Sequence, residues 1–228
     1  MAKKKYQQDE NLQELESALT KTEHFIEEHQ KLITYIVGAI IIIVSAYLGF
    51  NKFYLQPLEK EAQSQMFMAE SYFEKDSFNL AINGDGNYLG FLDIIDDYGI
   101  TKSANLSKYY AGISYLYLGQ FEDAIYYLED FNADDLLLEP IAEGALGDAK
   151  LELGEDKAAL KHYKNAFSLN DNNLTNPVYM MKAAGLLESM DELEDALAIY
   201  EKIKEEYPDS NEGRYIDKYI ARVKTRMD

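Results

Sequence analysis

The sequence is poor in the residues from which most chemical centres are built. Its 228 residues include no cysteine and only three histidines. The missing cysteine excludes disulfides, thiol catalysis and thiolate metal sites. Three histidines leave little material for a metal centre or an acid–base pair. Tryptophan is also absent, whereas tyrosine is abundant, with 19 residues.

Positive charge is scarce as well. Lys and Arg total 22 against 41 for Asp and Glu, so the formal net charge is −19 at pH 7. A protein that follows a phosphate backbone needs a basic face, so this balance argues against nucleic acid as a partner. Hydrophobic residues make up 47% of the chain, which is enough for a folded core.

One uncharged stretch is long enough to cross a membrane. Residues 32–50 read LITYIVGAIIIIVSAYLGF. As a helix this stretch would span about 28 Å, close to the ~30 Å thickness of the hydrocarbon core. The sequence therefore predicts a transmembrane helix over residues 32–54, with tyrosines near both ends, where amphipathic rings prefer the interface. Residues along this predicted span are Leu32, Ile36, Ile40, Ile43, Tyr47 and Phe50.

The segment before the span indicates that the span is an anchor and not a signal peptide. Residues 1–31 carry seven acids beside five lysines, whereas a secretory leader is short and basic. Small residues around Ala46 would suit a peptidase, so a cleaved, secreted binding module is the alternative. Lysines are denser before the span than after it, which predicts a cytoplasmic N-terminus and an exported C-terminal part.

A helical pattern precedes the span, over residues 9–31. Asp9 can cap a helix, and Leu12, Leu15 and Leu19 recur at helical spacing. This segment is either an amphipathic helix that leads into the span or a cytoplasmic contact helix for a membrane partner. After the span, Pro57 predicts a break or kink, because proline lacks an N–H and disfavours helix in the preceding residue.

A pattern of two small residues flanking a turn residue recurs four times in the remaining chain. Each copy is predicted to be a helical hairpin, because small residues let two helices approach and the turn residue tolerates a left-handed backbone. One hairpin cannot bury its apolar face alone, so the hairpins must stack. The successive copies are Ala69, Asp76 and Ala81; Gly112, Gly119 and Ala124; Gly147, Gly154 and Ala159; and Ala184, Asp191 and Ala196.

This pattern resembles the tetratricopeptide repeat over roughly residues 62–208, although the usual early tryptophan is missing. The resemblance implies an all-α solenoid of about four hairpins. Ala81 and Ala124 are 43 residues apart instead of about 34. This excess predicts that the second helix of the first hairpin is interrupted around residues 83–87. Residues 210–227 are expected to form an amphipathic helix that caps the stack, with a basic docking patch as the alternative.

Nothing in the sequence indicates catalysis. Paired acids such as Asp96 and Asp97 are adjacent in sequence, so on a helix they do not converge on one substrate. No glycine-rich phosphate loop or serine nucleophile elbow is present. His162 is expected to be an ordinary surface or interface residue. We therefore predict no enzyme, no cofactor, no metal site and no small-molecule substrate.

A short helical solenoid instead offers a concave face, lined by the first helix of each hairpin. Tyrosine gives a large contact area at a small loss of entropy, and acids such as Glu70, Asp148 and Glu188 would favour a basic or amphipathic partner. The alternative is that these residues are core between hairpins. The candidate groove residues are Phe73, Tyr109, Ile113, Leu116, Tyr117, Leu151 and Met181.

The order of segments resembles the YfgM-like family, the membrane-anchored tetratricopeptide ancillary subunits of the bacterial Sec translocon. The segments are a cytoplasmic amphipathic helix (1–31), a transmembrane helix (32–54) and a periplasmic repeat domain (58–228). The resemblance implies a location in the bacterial inner membrane. It also implies partnership with translocon channel subunits, a membrane-anchored prolyl-isomerase-type chaperone and exported polypeptides. A structural scaffold in another envelope complex, for secretion or division, is the alternative.

Overall fold

The computed structural model describes residues 28–132 and 135–228, and every regular element within those ranges is helical. The chain divides into two compact units, Met1–Pro57 and Leu58–Asp228. The amphipathic helix is expected over residues 9–31. Residues 9–27 of this segment lie outside the described residues.

The first unit contains helix α1 (Gln30–Phe50) and a π-helical turn (Asn51–Leu55). By length and composition, the helical segment that begins at Gln30 is apolar enough to cross a membrane, and none of its apolar stretch is buried within the protein. A helix that is apolar on all sides and unburied suits a lipid environment. The six residues predicted along the span are 50–67% exposed; they are Leu32, Ile36, Ile40, Ile43, Tyr47 and Phe50.

Pro57 does not break the helix, so the predicted break is absent, whereas the predicted kink stays a prediction. It is the second residue of helix α2 (Gln56–Phe73), which directly follows the π-helical turn. The residues directly before Pro57 are themselves helical, so the proline is not at a free helix start. The backbone is wider there, since the N–H of Gln56 donates to the carbonyl of Asn51, five residues back. The irregularity near the proline is therefore a locally wider helical turn and not an interruption.

The second unit is a stack of four helical hairpins with an end helix, which confirms the predicted all-α solenoid. The first hairpin pairs α2 with two short helices, and each of the other three pairs two longer helices. The remaining elements, in chain order, are α3 (Phe78–Asn83), α4 (Phe91–Asp97), α5 (Lys102–Tyr117), α6 (Phe121–Glu129), α7 (Leu138–Glu152), α8 (Asp156–Ala166), α9 (Asn176–Ser189), α10 (Leu193–Glu206), a 3-10 turn (Gly213–Tyr215) and α11 (Ile216–Met227).

The repeated small residues lie between paired helices, as predicted, and all eight are buried. In the second hairpin, a Cβ added to Gly112 would lie 2.5 Å from Cγ of Leu128. In the third, a Cβ on Gly147 would lie 2.6 Å from Cε1 of Tyr163. Both distances are far below van der Waals contact, so the close approach of the two helices requires a small residue here.

The predicted turn residues have a left-handed backbone at the end of each first helix. The φ values are +72° at Gly119, +75° at Gly154, +55° at Asp76 and +63° at Asp191. Glycine adopts this conformation without strain, whereas an L side chain disfavours it by roughly 1–2 kcal/mol. Aspartate is among the side chains that tolerate it best.

These turns allow a matched pair of substitutions. Gly154→Ala should lower the free energy of unfolding by about 1 kcal/mol, because φ is positive there and no atom lies within 4 Å of the added Cβ. Asp76→Gly should raise it by about 0.5 kcal/mol, because it relieves the same strain. Thermal unfolding of the full chain in detergent should show shifts of opposite sign, and shifts of the same sign would contradict this account.

The predicted interruption in the first hairpin is confirmed, because α3 ends at Asn83 and α4 begins at Phe91. The intervening loop is organised around Asp85. Its carboxylate accepts the backbone N–H groups of Asn87 and Tyr88 at 2.9 and 2.8 Å. It also accepts the hydroxyl of Tyr72 at 2.9 Å, which fastens the loop to α2.

The end helix α11 covers the last hairpin, as expected. Its buried residues Ile216, Ile220 and Val223 pack into one cluster with Tyr200 and Ile203 of α10. Without α11 this apolar surface would face water, which is why stacked repeats need a terminal cap.

Candidate functional site

The first helices of all four hairpins contribute to one groove with a volume of about 450 Å³. We call it the repeat groove. The end of α2 and the following turn form one side, α5 and α7 form the floor, and a residue of α9 closes the far end. Its lining comprises five aromatic residues (Phe73, Phe78, Tyr109, Tyr117 and Tyr179), three acids (Glu74, Asp76 and Asp148) and four aliphatic residues (Ile113, Leu116, Ile141 and Ala145).

The aromatic rings on the α2 side of the repeat groove support one another. The rings of Phe78 and Tyr117 are stacked with centroids 4.8 Å apart and planes 3° apart. Phe73 meets Phe78 edge to face at 5.6 Å. These contacts hold the rings in place before any partner binds, so little side-chain entropy is lost on binding. Tyr117 is nevertheless 69% exposed and free to be covered.

At the far end, Tyr179 enters the repeat groove over a glycine. A Cβ on Gly144 of α7 would overlap the ring of Tyr179, so the absence of a side chain there makes room for the ring. Tyr179 is almost fully buried. Burial raises the pKa of its hydroxyl, and the carboxylate of Asp148 raises it further.

The charge of the repeat groove is negative. Among its lining residues that the structure describes, three are acids and none is Lys, Arg or His. Asp148 is partly neutralised from outside the groove, since Lys182 lies 2.6 Å from its carboxylate and Tyr163 donates a hydroxyl at 2.7 Å. Close by on α2, burial and the charge of Glu74 raise the pKa of Glu70. The field at the groove therefore favours a cationic group.

The structure brings five of the seven predicted groove residues together. Phe73, Tyr109, Ile113, Leu116 and Tyr117 all line the repeat groove. The other two lie elsewhere: Leu151 lines a shallower depression beside Lys182 and Gly185, and Met181 packs against the core of the last hairpin.

Several lining residues escaped the sequence analysis. Phe78 stands at the start of a second helix, and second helices were not expected to contribute. Tyr179 lies three residues before Lys182, on the first helix of the fourth hairpin. The available signal was the recurrence of aromatic residues on first helices, which Tyr179 shares with Tyr109.

Glu188 is not a groove acid, contrary to the prediction. It is only 7% exposed. Its carboxylate accepts hydrogen bonds from Arg222 at 2.6 Å and from Arg226 at 3.1 Å. Burial by itself would raise the pKa of Glu188, but the hydrogen bonds from the two arginines outweigh it and lower the pKa. These two arginines therefore attach α11 to α9 and are not part of a free basic patch.

His162 lies outside the repeat groove, between the two helices of the third hairpin. Its Nδ1 is 2.9 Å from a carboxylate oxygen of Glu143 on α7, and both side chains are partly buried. This is the interface position that the sequence suggested.

The buried tyrosines predict unfolding at alkaline pH. Burial raises the pKa of Tyr109 and of Tyr200 to about 12, whereas the unfolded chain ionises tyrosine near pH 10. The native state is therefore unaffected below about pH 10 and loses stability between about pH 10 and 12, by at most ~3 kcal/mol for each residue.

This loss can be followed in the full chain by phenolate absorbance and circular dichroism. Tyr109→Phe removes one of the titrating hydroxyls, so the fall in melting temperature between these two pH values should be smaller. Complete tyrosine ionisation near pH 10 in a chain that stays folded would contradict the proposed origin of the effect.

The comparisons with known proteins agree with this architecture. The family model described as tetratricopeptide repeat matches residues 107–134 and 179–210, which cover most of the second and fourth hairpins. These two segments therefore match the tetratricopeptide repeat, a fold that typically serves as a non-catalytic protein-binding scaffold. None of the curated proteins matches the sequence.

Two kinds of solved structure are similar in fold. One is the nearly identical TPR-like repeats of a Podosopora anserina protein assigned as a kinesin light chain, with a TM-score of 0.57 and 13% identity; the match covers 73% of this chain and 87% of that one. The other is MamA protein, with a TM-score of 0.51 and 19% identity, covering 72% of this chain and 88% of that one. At such identities the likeness concerns the fold alone.

Proposed function

We propose that this chain is a membrane-anchored adaptor whose repeat groove binds a basic segment of another polypeptide. The proposal is carried by the composition of the groove, where aromatic faces lie beside three carboxylates. A lysine or arginine side chain would meet both, through ion pairing with the acids and cation–π contact with the rings. The alkyl part of the same side chain would cover the aliphatic floor.

The anchor is assigned to residues 32–54. Support comes from the length of the uncharged stretch and from the exposure of its side chains, of which Ile43 is 67% exposed. The repeat unit would lie on the non-cytoplasmic side of a bacterial inner membrane, because lysines are denser before the span than after it.

Because the chain has no cysteine, single cysteines can test this arrangement. In intact cells with a permeable outer envelope, an impermeant thiol reagent should label Lys161→Cys and should label Ala2→Cys only after lysis. The reverse pattern would overturn the orientation. A mature protein whose mass lacks residues 1–46 would overturn the anchor itself and favour a secreted binding module.

We further propose that the host complex is the Sec translocon. The support is the order of residues 1–31, 32–54 and 58–228 and its resemblance to the YfgM-like family. In this role the groove would receive segments of exported polypeptides or of a periplasmic prolyl-isomerase-type chaperone, while the span would contact the channel subunits. The competing proposal is a structural scaffold of another envelope complex, which could use the same groove.

Two tyrosines of equal exposure provide a matched test. Tyr117 lies in the repeat groove and is 69% exposed, whereas Tyr126 lies on α6 outside the groove and is 67% exposed. A photo-crosslinking phenylalanine analogue placed at residue 117 in living cells should capture polypeptide partners, and the same analogue at residue 126 should capture few.

The identity of the captured proteins separates the two hosts. Exported polypeptides, the chaperone or channel subunits crosslinked at residue 117 would support the translocon, and subunits of a secretion or division apparatus would support the scaffold. Equal crosslinking at the two positions, or none at residue 117, would overturn the assignment of the groove as the binding site.

A further inference from the structure

The loops that connect successive hairpins lie side by side along one edge of the repeat unit. We call this edge the loop edge; its described residues are 98–101, 130–132, 135–137, 167–175 and 207–215. Three hydrogen bonds connect these loops to a neighbouring helix or to a neighbouring loop. They run from Asn105 Nδ2 to the carbonyl of Asn132 (2.8 Å), from Asn170 Nδ2 to the carbonyl of Leu136 (2.9 Å) and from the Tyr207 hydroxyl to Asp171 (2.9 Å).

Each of these loops exposes a large apolar side chain. Ile100, Leu136, Leu174 and Tyr215 are each between 58% and 74% exposed. Single exposed apolar residues scattered over a surface are ordinary, but one in every loop along the same edge is a pattern. The turns within the hairpins, at the opposite end of the helices, expose less apolar surface. Of Leu118, Leu153 and Met190 in these turns, only Leu118 is exposed, at 37%.

The chain enters the repeat unit at the loop edge. Glu59, the second residue of that unit, accepts the backbone N–H of Lys102 at 2.6 Å and that of Ser103 at 3.2 Å, directly after the first loop. Leu58 packs against the same cluster as Tyr98 at the start of this loop. The loop edge is therefore the part of the repeat unit that is joined covalently to the preceding segment.

The length of chain between the apolar stretch and the loop edge is short. Leu58 comes eight positions after Phe50, so the two residues are about 12 Å apart along a helix and at most about 27 Å apart in a fully extended chain. If Phe50 lies where the span leaves the hydrocarbon core, the loop edge is within reach of the lipid interface. Leucine and tyrosine side chains gain free energy when they enter that interface.

We propose that the loop edge contacts the zwitterionic lipid surface of the membrane in which residues 32–54 are anchored. This inference rests on the proposed anchor. Lipid suits the edge better than a rigid protein partner, because the apolar side chains stand singly between hydrogen-bonded polar loops. The pocket of about 750 Å³ at this edge is lined mainly by polar side chains of residues 168–176 and 202–207 and by none of these four residues. Exposed acids on the loops, such as Asp135 and Asp171, disfavour an anionic surface. Since the unit is tethered, its local concentration is high and weak contacts are enough.

The test uses the full chain reconstituted in phosphatidylcholine vesicles at less than one copy per vesicle, which excludes contacts between copies. A polarity-sensitive fluorophore is attached to Leu136→Cys or Leu174→Cys on the loop edge, or to Gln120→Cys on the opposite edge as the control. Lipids with a nitroxide near the headgroup should quench the probes at residues 136 and 174 at least twofold more than the probe at residue 120.

A fourth probe, at Ile43→Cys in the middle of the span, is read with lipids that carry the nitroxide deep in the acyl chains, and it reports on the anchor alone. Quenching at residue 43 together with water-like emission at residues 136 and 174 would overturn this inference and leave the anchor intact. Lack of quenching at residue 43 would overturn the anchor and this inference with it. Equal quenching at residues 136 and 120 would also overturn the inference, because it would show no preference for the loop edge.

Discussion

Replacing Gly144 by alanine is expected to lower the free energy of unfolding by about 2–3 kcal/mol. In an open helix the same change would stabilise, since alanine is favoured over glycine by up to about 1 kcal/mol. In α7 the added methyl would overlap the ring of Tyr179, which is almost fully buried and cannot move without displacing its neighbours. Thermal unfolding of the full chain should therefore show a clear loss.

Gly185 is the matched control for this substitution. It also lies within a first helix, α9, but nothing lies within 4 Å of a Cβ added there. Gly185→Ala should raise the stability by about 0.5–1 kcal/mol through helix propensity alone. The double variant Gly144→Ala, Tyr179→Leu should lose less than the sum of its single changes, because the smaller side chain relieves the overlap. Strict additivity would contradict the proposed contact.

Loss of Gly144 should also affect binding. Tyr179 closes the far end of the repeat groove, so displacing its ring changes the surface that a partner meets. If the groove is the binding site, crosslinking at residue 117 should fall in Gly144→Ala at a temperature where the variant is still folded. Gly185→Ala should leave the crosslinking unchanged.

Glu188→Ala is expected to cost about 2 kcal/mol of stability. The buried carboxylate of Glu188 accepts hydrogen bonds from Arg222 and Arg226 of α11 and from the hydroxyl of Tyr200. Its removal takes away the ion pairs that join the end helix to α9 and leaves the Tyr200 hydroxyl without that acceptor. We place the loss below the full value for a buried pair because both arginines are about half exposed and can be rehydrated.

Glu201→Ala is the control for the loss of an ion pair alone. Glu201 pairs with Lys224 of the same end helix at 2.9 Å, but both side chains are more than half exposed. Exposed pairs of this kind contribute at most about 1 kcal/mol, and often nothing measurable. Circular dichroism of the two variants should therefore give very different melting temperatures. Equal shifts would mean that Glu188 acts only as a surface charge.

The acid dependence of stability should also distinguish Glu188→Ala from the parent chain. Since the pKa of Glu188 is lowered in the folded state, its contribution is complete above its usual pKa of 4.5. That contribution is lost as the pH falls through the lower folded value. The parent chain should lose stability over this acidic range more steeply than Glu188→Ala, in which this carboxylate is absent.

The repeat register could be predicted because it depends on contacts within one hairpin. The spacing of Gly112, Gly119 and Ala124 determines how two neighbouring helices approach and where the first one ends, and the structure has both as predicted. The interruption after Asn83 could be predicted for the same reason, since the extra length appears directly in the spacing.

Contacts between hairpins were harder to predict, because they join residues that are distant in sequence. Glu188 looked like an acid on the groove face, but its partners Arg222 and Arg226 come from the end helix more than 30 residues later. Tyr179 reaches the groove only because Gly144, 35 residues earlier, leaves space for its ring. The spacing of residues in a helix predicts on which face of the helix each residue lies. It does not predict which residue of another helix packs against that face.

Contacts within hairpins and contacts between hairpins together determine how the repeat unit can change its length. Each apolar cluster in the repeat unit is shared mainly by consecutive helices, and the end helix covers one terminal surface only. A duplicated hairpin inserted between α6 and α7 would thus meet familiar surfaces on both sides. Such a duplication would lengthen the stack and its concave face without a new core, so modular growth is open to this fold.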